Sequence, residues 1–188
     1  MEFNDVKDSG ERQEFNTGSV RDTSEGKGTP HLIAGEVLSK VLFSHPVDTK
    51  EIIANLLFNY STIQEDKNNL TDIYRAISLT LSLISDSEDG SFTSAMMRLS
   101  KHYENGAKKY SKNNWRKGQP VSRYYDSAMR HLWKDIDNMK DEDHKAALLW
   151  NLMGIVQTKL DVKKGLLPKA LDDFPFTIVE TFPNIKND

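Results

Sequence analysis

The apolar residues in the middle of the chain recur at the spacing of an α-helix. Met96, Leu99, Tyr103, Ala107 and Tyr110 fall at i, i+3, i+7, i+11 and i+14, which places all five on one stripe of one helix. Helical patterns also precede and follow this segment. A chain patterned in this way buries its apolar surface by packing helices on one another. The sequence therefore predicts an all-α fold built as a helical bundle.

Capping residues and periodicity set the predicted boundaries of the other helices. Asp48 and Ser122 are plausible N-caps, because each precedes a run of apolar residues at helical spacing. Leucine alternates with threonine and serine at residues 79–83, so a strand is an alternative for the segment 70–84. The predicted helices are 31–44, 48–64, 70–84, one from Phe92, one from Ser122 and one after Asp141.

Composition excludes several classes of protein. The net charge of −3 over 188 residues argues against a nucleic-acid partner, since binding along a phosphate backbone requires a basic face. The absence of cysteine excludes disulfides and thiolate metal sites and is typical of the cytoplasm. The polar N-terminus lacks the apolar core of a signal peptide, and no apolar run is long enough for a membrane span. A cytoplasmic protein without a membrane partner is expected.

Local composition divides the chain into four segments. We predict an extended N-terminal arm with a phosphate loop at 1–33, a helical insertion at 34–93, a helical bundle at 94–164 and an extended C-terminal arm at 165–188. The first arm combines glycines with isolated cations, and the exposed amides of such a loop can bind phosphate. The C-terminal arm contains three phenylalanines that are expected to pack on the bundle or on a partner. They are Phe174, Phe176 and Phe182.

Charged and polar side chains share faces of the predicted helices. Arg123, Arg130 and Asp137 are spaced seven residues apart, and so are His144 and Asn151, which places each set on one helix face. Carboxylates on adjacent helices are suitable donors for Mg²⁺ or Mn²⁺. Arginine and lysine side chains on the same faces could hold phosphate. The sequence thus indicates a metal and phosphate site within the bundle.

Each of these residues also has an alternative role in structure alone. Glu104 with Lys108, and Asp126 with Arg130, could be surface pairs at i, i+4. Three consecutive acids, Asp141, Glu142 and Asp143, could favour the N-terminus of the last helix through its dipole. His131 could be a hydrogen-bonded core histidine, and Trp115 could fill the bundle.

The order and spacing of these residues resemble the phage dATP/dGTP diphosphohydrolase family, which is related to the MazG-like all-α NTP pyrophosphohydrolases. The resemblance covers about residues 9–33 and 95–155. It is carried by Thr17-Gly18-Ser19-Val20-Arg21-Asp22, Gly26-Lys27-Gly28, Leu32-Ile33, Gly106-Ala107-Lys108-Lys109-Tyr110, Asn114-Trp115, Lys117-Gly118, Ser122-Arg123, Arg130-His131, Asp141-Glu142-Asp143-His144 and Trp150-Asn151.

The resemblance implies cleavage of a purine deoxynucleoside triphosphate, dATP or dGTP, to the monophosphate and pyrophosphate by in-line attack of a metal-bound water. It implies Mg²⁺ (or Mn²⁺) as cofactor and a homo-oligomer in the host cell cytoplasm. The implied catalytic residues are Glu104, Asp126, His131, Asp143 and His144. The implied metal ligands are Glu104, Asp126, Asp137, Glu142 and Asp143. The implied nucleotide-binding residues are Lys27, Lys108, Lys109, Asn114, Trp115, Arg123, Arg130 and Asn151.

Two departures from the family pattern suggest an alternative function. The insertion at 34–93 separates the two matching blocks, and the helices carry no complete Glu-x-x-Glu or Glu-x-x-Asp pair. The alternative is a non-catalytic phage protein that binds a nucleotide or a protein partner and inhibits a host enzyme or signalling system.

Overall fold

The fold is a helical bundle that carries a short β-hairpin. The computed structural model describes residues 10–23, 30–32, 48–62, 69–85 and 92–175. Within these ranges the helices are α1 (Thr49–Tyr60), α2 (Thr71–Ser85), α3 (Phe92–Lys109), α4 (Val121–Ile136) and α5 (His144–Lys163). Strands β1 (Arg12–Glu14) and β2 (Val20–Asp22) pair antiparallel. Single 3₁₀ turns occur at Pro30–Leu32, Asn114–Lys117 and Lys169–Leu171. The predicted all-α class is confirmed, and the segment for which a strand was the alternative is helix α2.

Helices α4 and α5 pack side by side at the centre of the bundle. Helix α5 also contacts α2 and α3, and α1 packs on α2 and α4. The core between them is built from side chains without exposed surface, including Tyr125, Met129 and Leu132 of α4 and Leu152 and Ile155 of α5. Burial of this apolar surface is the main stabilising contribution to such a bundle.

A glycine sets the closest approach of the two central helices. A Cβ atom added to Gly154 in α5 would lie 2.4 Å from Cε1 of Tyr124 in α4. The ring of Tyr124 therefore rests against the backbone of α5, where any larger residue would displace it. This contact fixes the position of Tyr124 beside the functional site.

The predicted caps are confirmed at one helix and wrong at another. Asp48 caps α1, because its Oδ1 accepts a 2.9 Å hydrogen bond from the N–H of Glu51. The helix ends at Tyr60, before the predicted end. Helix α4 begins one residue before Ser122, whose N–H and Oγ donate to the carboxylate of Asp173 at 2.9 and 2.6 Å. A distant acid therefore supplies the acceptor that Ser122 was expected to provide.

The C-terminal segment packs on the bundle. Phe174 has no exposed surface. The centroid of its ring lies 4.6 Å from that of Tyr125 and 6.0 Å from that of Tyr60. The packing expected for Phe174 is thus confirmed, whereas Phe176 and Phe182 lie outside the described residues. None of the helices in the described ranges has the length and apolarity that crossing a membrane requires.

Candidate functional site

A cavity of about 370 Å³ lies between the β-hairpin and the central helices. Its walls come from the hairpin region, α3, α4 and α5, and its volume falls in the range typical of small-molecule sites. Four cationic side chains line it, Arg21, Arg123, Arg130 and Lys134. Three aromatic side chains line it as well: Phe15, Tyr110 and Trp150.

Arg21 of the hairpin is fixed from four directions. Its guanidinium donates to Oδ1 of Asn151 at 2.8 Å and to Oε1 of Gln119 at 3.0 Å. The same group lies 5.4 Å from the centre of the Tyr124 ring and 5.7 Å from that of Trp150. Burial lowers the pKa of Arg21, but a guanidinium remains charged at neutral pH. A positive charge is thereby held at the wall of the cavity.

Helix α4 adds three cations to the same wall. Arg123 and Arg130 are seven residues apart, and Lys134 follows one turn later. The shared face predicted for Arg123 and Arg130 is therefore confirmed. Burial lowers the pKa of Arg130 to about 10, so this side chain also carries its charge at neutral pH. Together with Arg21 they give the cavity a cationic wall, which could hold an anion that carries several charges.

Two residues predicted to bind the nucleotide, Asn114 and Lys109, hold the hairpin in place. The amide of Asn114 accepts from the N–H of Val20 at 3.1 Å and donates to its carbonyl at 2.8 Å. The ammonium of Lys109 lies 2.7 Å from the carboxylate of Asp22. Thr17 Oγ1 adds a 3.1 Å hydrogen bond to the carbonyl of Gly118. These contacts position the strand that carries Arg21.

A cluster of two imidazoles and a carboxylate lies at one end of the cavity. Nδ1 of His131 is 3.2 Å from Nδ1 of His144 and 3.3 Å from Oε1 of Glu142. Nδ1 of His144 is 3.6 Å from the same Oε1. On the other side of the His144 ring, Nε2 lies 2.7 Å from Oδ1 of Asp141, and Oδ2 of the same carboxylate accepts from Nζ of Lys134 at 2.9 Å. Nδ1 of His131, Nδ1 of His144 and Oε1 of Glu142 could together hold a metal ion.

Two histidines at the cavity wall are neutral at neutral pH. Burial lowers the pKa of His102 to about 4. Burial, together with the positive charge of neighbouring groups, holds the pKa of His131 well below its usual range. An unprotonated imidazole can accept a proton from a reacting water.

Glu104, predicted as a metal ligand and catalytic residue, lies on the outer surface of α3. Its side chain is 51% exposed and pairs with Lys108 at 2.6 Å and Lys101 at 3.2 Å. Hydrogen bonds from these two lysines lower the pKa of Glu104. This is the surface i, i+4 pair that was the alternative for Glu104 and Lys108. Neither residue lines the 370 Å³ cavity.

The structure separates Asp126 and Asp137 from the histidine cluster. Asp126 is 1% exposed and accepts a 2.8 Å hydrogen bond from the N–H of His31. Its carboxylate also contacts Nδ1 of His31 at 2.9 Å, so it holds the 3₁₀ turn Pro30–Leu32 against α4. Asp137 is the exposed residue that follows α4.

Asp143 has a capping role at the start of α5. Its Oδ1 accepts from the N–H of Ala146 at 3.1 Å, and both oxygens bind the guanidinium of Arg98 at 2.6 and 2.7 Å. Burial alone would raise the pKa of Asp143, but the hydrogen bonds from Arg98 hold it below its ordinary value. Among the five predicted metal ligands, Glu142 is therefore the member of the cluster.

A second cavity of about 340 Å³ adjoins the first. Three residues predicted for the site, Glu104, Asn114 and Trp115, line this second cavity, and His102, Gly106 and Trp150 line both. The Trp115 ring lies 5.6 Å from Tyr103, and the guanidinium of Arg116 covers it at 4.6 Å. Lys27 lies outside the described residues.

The sequence model of a family described as dATP/dGTP diphosphohydrolase, N-terminal, matches residues 71–165, about half of the chain. The chain belongs to this family. No curated protein and no solved structure matches the chain. The match begins with α2 and ends just after α5, so it includes residues 71–93, which were assigned to the insertion.

Three residues of the site were not predicted, although each carried a signal. Arg21 stands in the run from Thr17 to Asp22 that carries part of the resemblance, yet it lies outside the family match. Lys134 follows Arg130 by four residues and so shares its helix face. His102 precedes Gly106 by four residues, on the face of α3 that is open to the cavity.

Proposed function

We propose that this protein hydrolyses a purine deoxynucleoside triphosphate, dATP or dGTP, to the monophosphate and pyrophosphate. The observation that carries the proposal is the convergence of Arg21, Arg123, Arg130 and Lys134 on one cavity. A triphosphate is the part of the substrate that needs several cations at once. The family description, which names a dATP/dGTP diphosphohydrolase, supports the same substrate.

The other walls of the cavity suit a purine nucleoside. Trp150, Tyr110 and Phe15 provide flat apolar surface on which a base can stack. Amide side chains from Gln13 and Asn151 provide donors and acceptors for the edge of a base or for a sugar hydroxyl.

The proposed reaction is a displacement at the α-phosphorus. The oxygen of water forms a bond to this phosphorus, the bond from it to the α,β-bridging oxygen breaks, and pyrophosphate leaves. We assign His102 to accept the proton of the water, because its imidazole is neutral at pH 7 and lines the cavity. The arginines stabilise the negative charge that the phosphate oxygens carry in the transition state.

Dependence on Mg²⁺ or Mn²⁺ is part of the proposal. A divalent ion bound with the triphosphate would neutralise phosphate charge. Four of the five carboxylates predicted as its ligands lie outside the lining of the 370 Å³ cavity: Glu104, Asp126, Asp137 and Asp143. Within the described residues that line the cavity, Glu142 and Asp22 are the carboxylates.

The dispersion of these acids favours one alternative, a phage protein that binds a nucleotide or a host protein without cleaving the nucleotide. Such a protein would need the cationic cavity but no convergent acids. The distinction is whether pyrophosphate is released.

Incubation of the purified protein with dGTP or dATP, with Mg²⁺ or Mn²⁺, tests the proposal. Phosphate detection with and without added inorganic pyrophosphatase reports pyrophosphate specifically. We expect its release, and we expect Arg130→Gln to lower kcat/KM by about 10- to 100-fold, the loss of one charge-assisted hydrogen bond. Arg116→Gln removes a charge that does not line the 370 Å³ cavity and serves as the control. Tight nucleotide binding without pyrophosphate release would establish the non-catalytic alternative.

A further inference from the structure

We propose that His131, Glu142 and His144 form a binding site for a divalent transition metal that accepts nitrogen ligands, with Zn²⁺ as the probe. The site differs from the one expected from the sequence, which consisted of carboxylates alone. Its occupancy in the free protein does not depend on the nucleotide. Only its role beside the substrate rests on the proposed function.

The spacing of the three donor atoms fits one metal ion. Nδ1 of His131, Nδ1 of His144 and Oε1 of Glu142 form a triangle with sides of 3.2, 3.3 and 3.6 Å. An ion about 2.0–2.1 Å from each donor in a tetrahedral arrangement requires sides of about 3.3 Å. The triangle therefore has the size of one face of a coordination tetrahedron.

The hydrogen bonds around the triangle leave a nitrogen lone pair directed into it. Nε2 of His144 lies 2.7 Å from Oδ1 of Asp141 and donates its proton there. In this tautomer the neutral ring has no proton on Nδ1, which faces His131 and Glu142. Lys134 binds Asp141 at 2.9 Å and fixes the carboxylate. A carboxylate on the outer nitrogen of a metal-binding histidine is a recurrent arrangement that orients the ring and increases its basicity.

An ion bound by these three donors would have one side open to the cavity. The side chain of His144 is 1% exposed and lies behind the cavity wall, whereas His131 and Glu142 line the cavity. Three protein donors with a free direction toward a pocket are typical of reactive rather than purely structural zinc sites. Lys134 lines the same cavity, so phosphate oxygens held there would lie beside the ion.

The donor types determine the class of metal. Imidazole nitrogen suits Zn²⁺, Co²⁺, Ni²⁺ and Fe²⁺, whereas Mg²⁺ prefers oxygen ligands in octahedral geometry. Two of the three donors here are nitrogens. The site is thus expected to select a transition metal over Mg²⁺ before any nucleotide is present.

Calorimetric titration of the EDTA-treated full chain tests the proposal without reference to activity. We expect one Zn²⁺ per chain, no measurable heat with Mg²⁺, and visible absorption bands of tetrahedral Co²⁺ on titration with cobalt. Glu142→Gln should abolish the Co²⁺ bands and weaken Zn²⁺ binding, and Asp141→Asn should weaken it by about 10- to 100-fold. Glu104→Gln is the matched control, because it makes the same change at a carboxylate of the outer surface.

Circular dichroism of each variant separates loss of the ligand from loss of the fold. Wild-type protein that binds no Zn²⁺ or Co²⁺, or folded Glu142→Gln protein with unchanged affinity, would overturn the metal site. If Zn²⁺ binds but no pyrophosphate is released from dATP or dGTP, the metal site stands and the proposed hydrolysis fails. If pyrophosphate is released with Mg²⁺ alone and the free protein binds no transition metal, the proposed hydrolysis stands and the metal site fails.

Discussion

The guanidinium of Arg21 donates a 2.8 Å hydrogen bond to Oδ1 of Asn151, which lies 130 positions later in the chain. The amide of Asn151 is itself oriented, because its Nδ2 donates to the carbonyl of Ala147 at 2.7 Å. The contact joins the N-terminal hairpin, which lies outside the family match, to helix α5 within it. The cationic cavity is therefore completed by a segment remote in sequence from its other walls.

Arg21→Lys tests whether this guanidinium organises the site. Lysine keeps the charge but cannot reproduce the pair of hydrogen bonds to Gln119 and Asn151. We expect nucleotide affinity to fall by about 10-fold or more, and the free energy of unfolding to fall by about 1–3 kcal/mol, since buried amide groups lose their partner. Urea denaturation and calorimetric titration with dGTP measure the two effects. Arg116→Lys, on the exposed 3₁₀ turn, should change neither, and an unchanged nucleotide affinity in Arg21→Lys would contradict this role.

Glu104→Gln tests the surface position of the acid that the resemblance implied as a ligand. Its partners are Lys101 and Lys108 on the same helix, and its side chain is half exposed. We expect pyrophosphate release to stay within about twofold of wild type, because exposed ion pairs contribute little and Glu104 does not line the 370 Å³ cavity. Steady-state kinetics with dGTP provide the measurement. A loss of kcat larger than that of Glu142→Gln would show that Glu104 reaches the reacting groups.

Helical periodicity predicted the bundle and the cationic face of α4. The position of the other cavity residues depends on contacts between segments that are distant in sequence. Arg123 and Arg130 could be placed on one face because seven residues make nearly two full turns of a helix. The position of Arg21 could not be predicted in this way, because it depends on the pairing of Asn114 with Val20, 94 positions apart. Asp143 and Glu142 are adjacent in sequence, yet their carboxylates have different partners. Asp143 binds Arg98, whereas Glu142 contacts His131. Residue spacing identifies the helix face on which a carboxylate lies, but the long-range partners available in the fold determine which contact it makes.

Gly154→Ala tests the close packing of α4 and α5. Alanine is normally the better helix residue by roughly 1 kcal/mol, but here its Cβ would lie 2.4 Å from the Tyr124 ring. We expect a net loss of about 1–3 kcal/mol in the free energy of unfolding, as for other overpacked cores. Gly106→Ala is the matched control, because no atom lies within 4 Å of its added Cβ. Equal denaturation midpoints for the two variants would contradict the packing.

The buried imidazole of His102 makes stability depend on pH. Burial lowers its pKa from 6.5 to about 4 in the folded protein, so the unfolded chain binds a proton more readily. The stability contributed by the neutral ring is complete above pH 6.5 and is lost as the pH falls toward 4. Between pH 7.5 and pH 5 this loss amounts to about 2 kcal/mol. Urea denaturation of wild type and His102→Gln at both pH values should show a smaller pH dependence in the variant. An identical pH dependence would mean that the ring is already accessible to solvent.

The ion pair between Lys159 of α5 and Asp172 is nearly inaccessible to solvent, with side chains 2% and 9% exposed. Asp172→Asn should lower the free energy of unfolding by about 3–5 kcal/mol, because it leaves a buried ammonium without its counter-ion. The double change Lys159→Met with Asp172→Leu removes both charges and should recover most of that loss. Lys101→Met breaks an exposed pair with Glu104 and should leave the denaturation midpoint unchanged. The measurement is urea denaturation followed by circular dichroism. If Asp172→Asn and Lys101→Met behave alike, burial of the Lys159 pair has no energetic consequence.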